Sequence, residues 1–310
     1  MAALFAAWSI GPAVAQEAAT LEAPAEAATD AVEQAKKPSE SAKKPEPGKK
    51  QKAPEFMRVL EDDGKPKALQ TAVATYKLSG AGPDDDVEVT LIGAVHIGEA
   101  TYYSRLNQLF RKYDALLYEM VMDPEGGMPD PEERGVSPVS TIQVGMKSAL
   151  NLAFQLDEID YKAKNFVHAD MTPQEFFDCM KELEQGLMSM IFRSMGASLA
   201  QQSSQKSNDL EVLAAMVSGD TMSLRVAFAE QMEQADGQMA ALANKEGKSA
   251  LITERNATAF KVLKRELDAG KKKIAVFYGA GHLKDMHKRL EKDFAMELTE
   301  MEWLDAWSLQ

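Results

Sequence analysis

The chain has 310 residues, 45% of them hydrophobic and 27% charged, the balance of an ordinary folded protein, which excludes a disordered chain, a collagen and a polytopic membrane protein. A formal net charge of −13 disfavours non-specific binding to nucleic acid. One cysteine, Cys179, excludes an intramolecular disulfide framework and a multi-cysteine zinc site, and a site built on imidazole must draw on His96, His168, His282 and His287 alone.

Residues 1–15 carry no charge and end in Ala13-Val14-Ala15, the small-residue pattern of a signal-peptidase site. The stretch is too short to span a bilayer, which takes about 20 residues, and it lacks a basic start. It is read as a signal peptide, so the expected location is the periplasm or the cell exterior. No lipoprotein anchor is indicated, because no cysteine follows the cleavage site. Residues 16–54 hold seven acids and seven lysines, with no aromatic residue. Such a segment buries too little surface to offset its ordering entropy, so it is expected to be a disordered linker. Residues 55–310 are expected to form one α/β domain.

Within that domain Thr71–Leu78 alternates in β-formers. A Gly- and Asp-rich turn and the run from Val87 to Ile92 complete a predicted hairpin. Ala100–Tyr113 has helical spacing. Asp114–Val121 (DALLYEMV) is a short apolar run, predicted to be a buried strand. A Pro/Gly-rich loop from Asp123 to Pro138 precedes a helical region opening at Val139. Asn165–His168 reads as a short strand, and Thr172-Pro173-Gln174-Glu175 as a capping box that opens a helix. Helical pattern continues to about Asp268, followed by a strand at Lys272–Tyr278, a helix at His282–Phe294 and a terminal strand at Leu298–Trp307. The expected fold is α/β, a mixed β-sheet core with a large helical insertion, about 173–247, between its two halves.

Two strand ends look alike. Val89-Thr90-Leu91-Ile92 leads into Gly93-Ala94-Val95-His96, and Ile274-Ala275-Val276-Phe277-Tyr278 leads into Gly279-Ala280-Gly281-His282, each followed by an amphipathic helix. Glycine frees the backbone to turn at the strand end, and the carboxyl edge of an open α/β sheet is where ligands bind. His96 and His282 are therefore expected to share a site. Glu119 closes DALLYEMV and needs compensation if buried; it is expected beside His96, on the neighbouring strand. Glu254 and Arg255 lie in a helical pattern that feeds the last core strand.

The succession of Gly-x-x-His after a strand, Glu119 at the end of the next strand, Glu254-Arg255-Asn256 on a later helix and Gly279-Ala280-Gly281-His282-Leu283 resembles the TraB/PrgY/GumN family. That family is related to the Tiki metalloproteases and, more distantly, to the erythromycin-esterase and ChaN-like haem-binding proteins. The resemblance runs over about Gln70 to Leu309. It implies an α/β core with an inserted helical lobe and, from the Tiki branch, divalent-metal-dependent peptide hydrolysis. His96, Glu119 and His282 would be the metal ligands and catalytic residues, and Arg255 the matching arginine. The helical zinc motif H-E-x-x-H is absent. Two imidazoles and one carboxylate still make three ligands with open positions for water, a set suited to Mn²⁺, Co²⁺ or Zn²⁺.

His168 and Asp170 stand two apart on an extended segment and are expected to point the same way, which with Glu254 makes them candidates to support the site. His287, next to Lys288 and Arg289, is expected on a solvated face, and Cys179 as a small buried hydrophobe. Three functional readings stand open. The first is an exported metal-dependent hydrolase of a peptide or small acyl substrate. The second is a metal-independent His/Glu hydrolase of the erythromycin-esterase type, and the third a non-catalytic binding or regulatory protein. Methionines at 180, 188, 190, 195, 216, 222, 232 and 239 either shape a substrate groove or fill a helical core or homodimer interface.

Overall fold

The structure, a computed structural model, describes residues 54–80, 82, 86–126, 150–185, 218–238, 243–244 and 246–310. The expected signal peptide and the linker up to residue 53 lie outside the described residues. So do the helical onset at Val139 and residues 186–217 and 239–242 of the expected lobe, with Met188, Met190, Met195, Met216 and Met239.

Strand β1 (Met57–Asp62) turns tightly through Asp63 and Gly64, both at positive φ, into β2 (Lys65–Leu78). Strand β2 then pairs antiparallel with β3 (Glu88–Ala94), Val73 opposite Ile92, which is the expected hairpin. After β3 the chain forms β4 (Ile97–Gly98), helix α1 (Ala100–Phe110) and β5 (Ala115–Tyr118). Strand β6 (Ala153–Phe154) pairs with β4 in a small second sheet and runs into the short helix α2 (Gln155–Glu158). Strand β7 (Phe166–His168) and helix α3 (Pro173–Glu182) follow. Helix α3 starts from the expected reciprocal cap between Thr172 and Glu175. Helices α4 (Thr221–Gln238) and α5 (Thr253–Asp268) lead to β8 (Lys273–Gly279). A 3₁₀ turn (Ala280–His282), helix α6 (Leu283–Asp293) and β9 (Met296–Ser308) end the chain.

The seven-stranded mixed sheet has the order β1-β2-β3-β8-β5-β7, with β9 on the other edge of β2. Its parallel half is β3-β8-β5-β7. Parallel strands reach their neighbours through crossovers and are buried on both faces, and β8 follows that rule. Ala275 and Phe277 pack on the side of α1 and α4, with Tyr102, Leu106, Phe110, Leu224 and Phe228. Ile274, Val276 and Tyr278 pack on the side of α5 and α6, with Phe260, Leu263, Leu283, Met286 and Leu290. The result is a three-layer sandwich whose parallel strands all end at one edge. Among the described residues no helix is long and apolar enough to cross a membrane.

One expectation about this half is corrected. Strand β5 does not neighbour β3, because β8 inserts between them and bonds to both. The last core strand, not the first, is thus the direct neighbour of the strand that ends at Glu119.

His287 is also corrected. It is only 7% exposed, not on a solvated face. Its Nδ1 lies 3.0 Å from the Tyr76 hydroxyl and its Nε2 3.5 Å from Glu291, with Phe56 and Tyr76 rings against it. The polar neighbours Lys288 and Arg289 point away because α6 presents Met286, His287 and Leu290 to the core.

Candidate functional site

Register brings the chemistry together. Ala94 lies opposite Gly279, and Tyr118 opposite both Phe277 and His168. His96, Glu119, Asp170 and His282 therefore all leave the sheet within one to three residues of adjacent strand ends. Helix α5 crosses beneath and supplies Arg255 and Asn256, both completely buried.

Arg255 is the hub. Its Nε donates to Asp170 Oδ1 at 2.9 Å and its Nη2 to Asp170 Oδ2 at 2.5 Å. Nη2 also donates to Glu119 Oε1 at 2.8 Å. This fork-to-carboxylate geometry is what a guanidinium does and an ammonium does not. The second oxygen of Glu119, Oε2, accepts the backbone N–H of Gly279 at 2.7 Å. On its remaining side stands His282, with Nε2 3.4 Å from Glu119 Oε1. Glu119 is 8% exposed and His282 2%. A small third core of Val121, Met171, Phe176, Met180, Leu251 and Ile252 packs against the same segments. The start of the expected lobe thus lies beside the site.

Gly279 earns its place through space. Its φ of −49° is one any residue adopts, so the expected special turn is not what requires glycine. A Cβ there would stand 3.3 Å from Glu119 Oε2, and its absence lets the N–H approach the carboxylate. The two Gly-x-x-His segments are also offset. Gly93 pairs with Tyr278, not Gly279, and His96 runs into β4 whereas His282 closes a 3₁₀ turn into α6.

The electrostatics follow from this packing. Burial alone would raise the Glu119 carboxyl, but the charges of His282 when protonated, of Arg255 and of His96 when protonated outweigh it and hold it well below the usual carboxylate range. Burial works against the Arg255 charge, yet Asp170 and Glu119 raise its pKa further above the ordinary value. His96 is half-buried and lies in the fields of Glu119, Arg255 and His282, with the Gln155 side chain against its ring. Burial dominates there and lowers its pKa. Tyr278 is held well above its ordinary value, chiefly by burial and then by Asp170; its hydroxyl donates to the Ala169 carbonyl.

Three expected supporting residues separate. Asp170 is in the cluster through Arg255. His168 is not: its Nε2 lies 2.7 Å from the Met120 carbonyl and its ring stands edge-on to Tyr118. Strand β7 ends at His168, so strand alternation does not carry through to Asp170, and the two side chains take different partners. Glu254 is also not part of the cluster. It accepts from Thr253 Oγ1 at 3.3 Å, half-buried one position along α5 from Arg255 and off its inward face.

Asn256 has a larger part than the sequence reading gave it. Its Oδ1 lies 2.7 Å from His282 Nδ1, and its Nδ2 donates to the His282 carbonyl at 3.1 Å and to Asp285 Oδ2 at 2.9 Å. The available signal was its place beside Arg255, since adjacent polar residues on a helix are both buried only when both have partners.

For the expected metal, the donors converge only in part among the described residues. His282 Nε2 and Glu119 Oε1 converge, but among the described residues no group of three or more His, Cys, Asp or Glu side chains is arranged to hold a metal ion. Among the described residues, two site atoms, Arg255 Nη1 and His282 Nε2, are buried with no hydrogen-bond partner. Cys179 is a free, half-buried thiol on α3, pushed up to about 11 by burial, which makes it a poor nucleophile. No family model, curated protein or solved structure matches the chain.

Proposed function

We propose that the strand-end cluster is the reaction centre of an exported hydrolase acting on a peptide or related acyl bond. The observation that carries this reading is Glu119, a buried and ionised carboxylate clamped by Arg255 and the Gly279 N–H, with imidazoles around it. A carboxylate held this way is suited to balance the charge an imidazole acquires when it takes a proton from water.

His96 is the base in this reading. It is the more exposed of the two imidazoles, and its lowered pKa leaves it neutral and able to accept a proton at neutral pH. Glu119 stabilises the imidazolium that forms. Asp170 holds Arg255, and Arg255 holds Glu119. A catalytic role for His282 rests on its Nε2, which stands beside the same carboxylate.

A second reading is favoured by one observation, His282 Nε2, which has no hydrogen-bond partner among the described residues and stands 3.4 Å from Glu119 Oε1. Mn²⁺, Co²⁺ or Zn²⁺ taken up there would polarise a carbonyl and activate water. Among the described residues the arrangement supplies two of the ligands and not a third.

The test is turnover of peptide and ester libraries by the full chain, purified without a histidine tag. It is measured after chelation and again with each ion, beside His96→Gln and Glu119→Gln. Turnover that survives chelation and is lost in both variants supports the first reading. Turnover restored only by an ion supports the second. Binding without turnover in every condition would make the protein a binding or regulatory one.

A further inference from the structure

The contacts of Asn256 determine more than its own position. Its Nδ2 faces two groups that only accept, the His282 carbonyl at 3.1 Å and Asp285 Oδ2 at 2.9 Å. Turning the amide over would set its oxygen against both, so the amide is locked with Oδ1 toward His282 Nδ1 at 2.7 Å. Asp285 is itself anchored by Arg289 Nε at 2.7 Å, and Arg289 Nη2 bonds the Thr253 carbonyl at the start of α5 at 2.8 Å. The ring plane of His282 is held by Tyr278, edge-on at 5.2 Å between centroids.

An amide oxygen cannot donate, so the proton of this contact belongs to His282 Nδ1. We infer that Asn256, locked by Asp285 and Arg289, is a positioning residue that holds a proton on His282 Nδ1, so that Nε2, beside Glu119 Oε1, is the atom that takes up and gives up the second proton and neutral His282 is the Nδ1–H tautomer. The consequence is chemical. Left free, a neutral imidazole 3.4 Å from a carboxylate would turn its proton to Nε2, donate to Glu119 and lose its basic atom. The locked amide prevents that.

This inference deepens the hydrolase reading and rests on it for its use, but its test does not require turnover. The full chain is labelled with ¹⁵N-histidine and long-range proton–nitrogen correlations are recorded at about pH 9, well above the ordinary histidine pKa. Four histidines make assignment by single substitution practical. Wild-type His282 is expected as the Nδ1–H form. Asn256→Leu is expected to convert it to Nε2–H, and Asp285→Ala, which leaves Asn256 in place, to populate both forms. A wild-type Nε2–H form, or an Nδ1–H form unchanged in both variants, overturns the inference. On the hydrolase reading Asn256→Leu also lowers kcat at least tenfold with KM little changed. A tautomer switch without loss of turnover would sustain the inference and count against His282 in the proposed reaction.

Discussion

Replacing Arg255 by lysine tests the centre of the site at constant charge. The guanidinium makes three charge-assisted hydrogen bonds, two to Asp170 and one to Glu119, from a side chain with no exposure. An ammonium on a differently shaped stem cannot fork Asp170 and reach Glu119 together. At about 1.5–3 kcal/mol for a hydrogen bond to a charged group, losing one or two removes roughly 2–5 kcal/mol. In a domain of this size that lowers Tm by roughly 5–20 °C, at about 2–4 °C per kcal/mol. The pH dependence carries a sign. The folded-state pKa of Glu119 is depressed, so its contribution is complete above the ordinary glutamate value, about 4.3, and is lost as pH falls through the depressed folded value. The gap between wild type and Arg255→Lys should therefore be widest near neutrality and narrow in acid. Calorimetry across that range, with turnover on the same samples, measures both. A loss below about 1 kcal/mol, or a gap that does not change with pH, would refute the claim that the fork organises Glu119.

Gly279→Ala should lower activity with a Tm loss of only a few degrees, because the new Cβ would stand 3.3 Å from Glu119 Oε2; unchanged turnover would mean the close approach is dispensable. His287→Leu strands the buried Tyr76 hydroxyl and should lose about 1–3 kcal/mol in denaturant unfolding. Burial lowers the His287 pKa in the fold, so its contribution is full above the ordinary histidine value, about 6.5, and falls as pH drops below it. Wild-type stability should fall faster than that of His287→Leu over that step. Thr172→Ala breaks the reciprocal cap of α3 and should lose about 1 kcal/mol without altering turnover in proportion. Mass spectrometry of the mature chain should find Gln16 at the N-terminus; an intact Met1 would end the export proposal.

Much of this architecture was legible from local pattern, because the hairpin, the buried run in β8 and the cap of α3 are each decided by residues within a few positions of one another. Glycine and histidine at two strand ends, and a carboxylate closing a third, were visible for the same reason. What the sequence could not supply was the order of strands. That β8 lies between β3 and β5 follows from pairing across more than 150 residues, and it sets Gly279 N–H and His282, not His96, directly against Glu119. Likewise the neighbours of His287 in sequence are charged, and only the packing of α6 on Phe56 and Tyr76 buries it. Asp170 and Asn256 drew their roles from partners 85 and 26 residues away. Polar groups of this kind carry no periodicity of their own, and the fold alone decides which acceptor each buried donor meets.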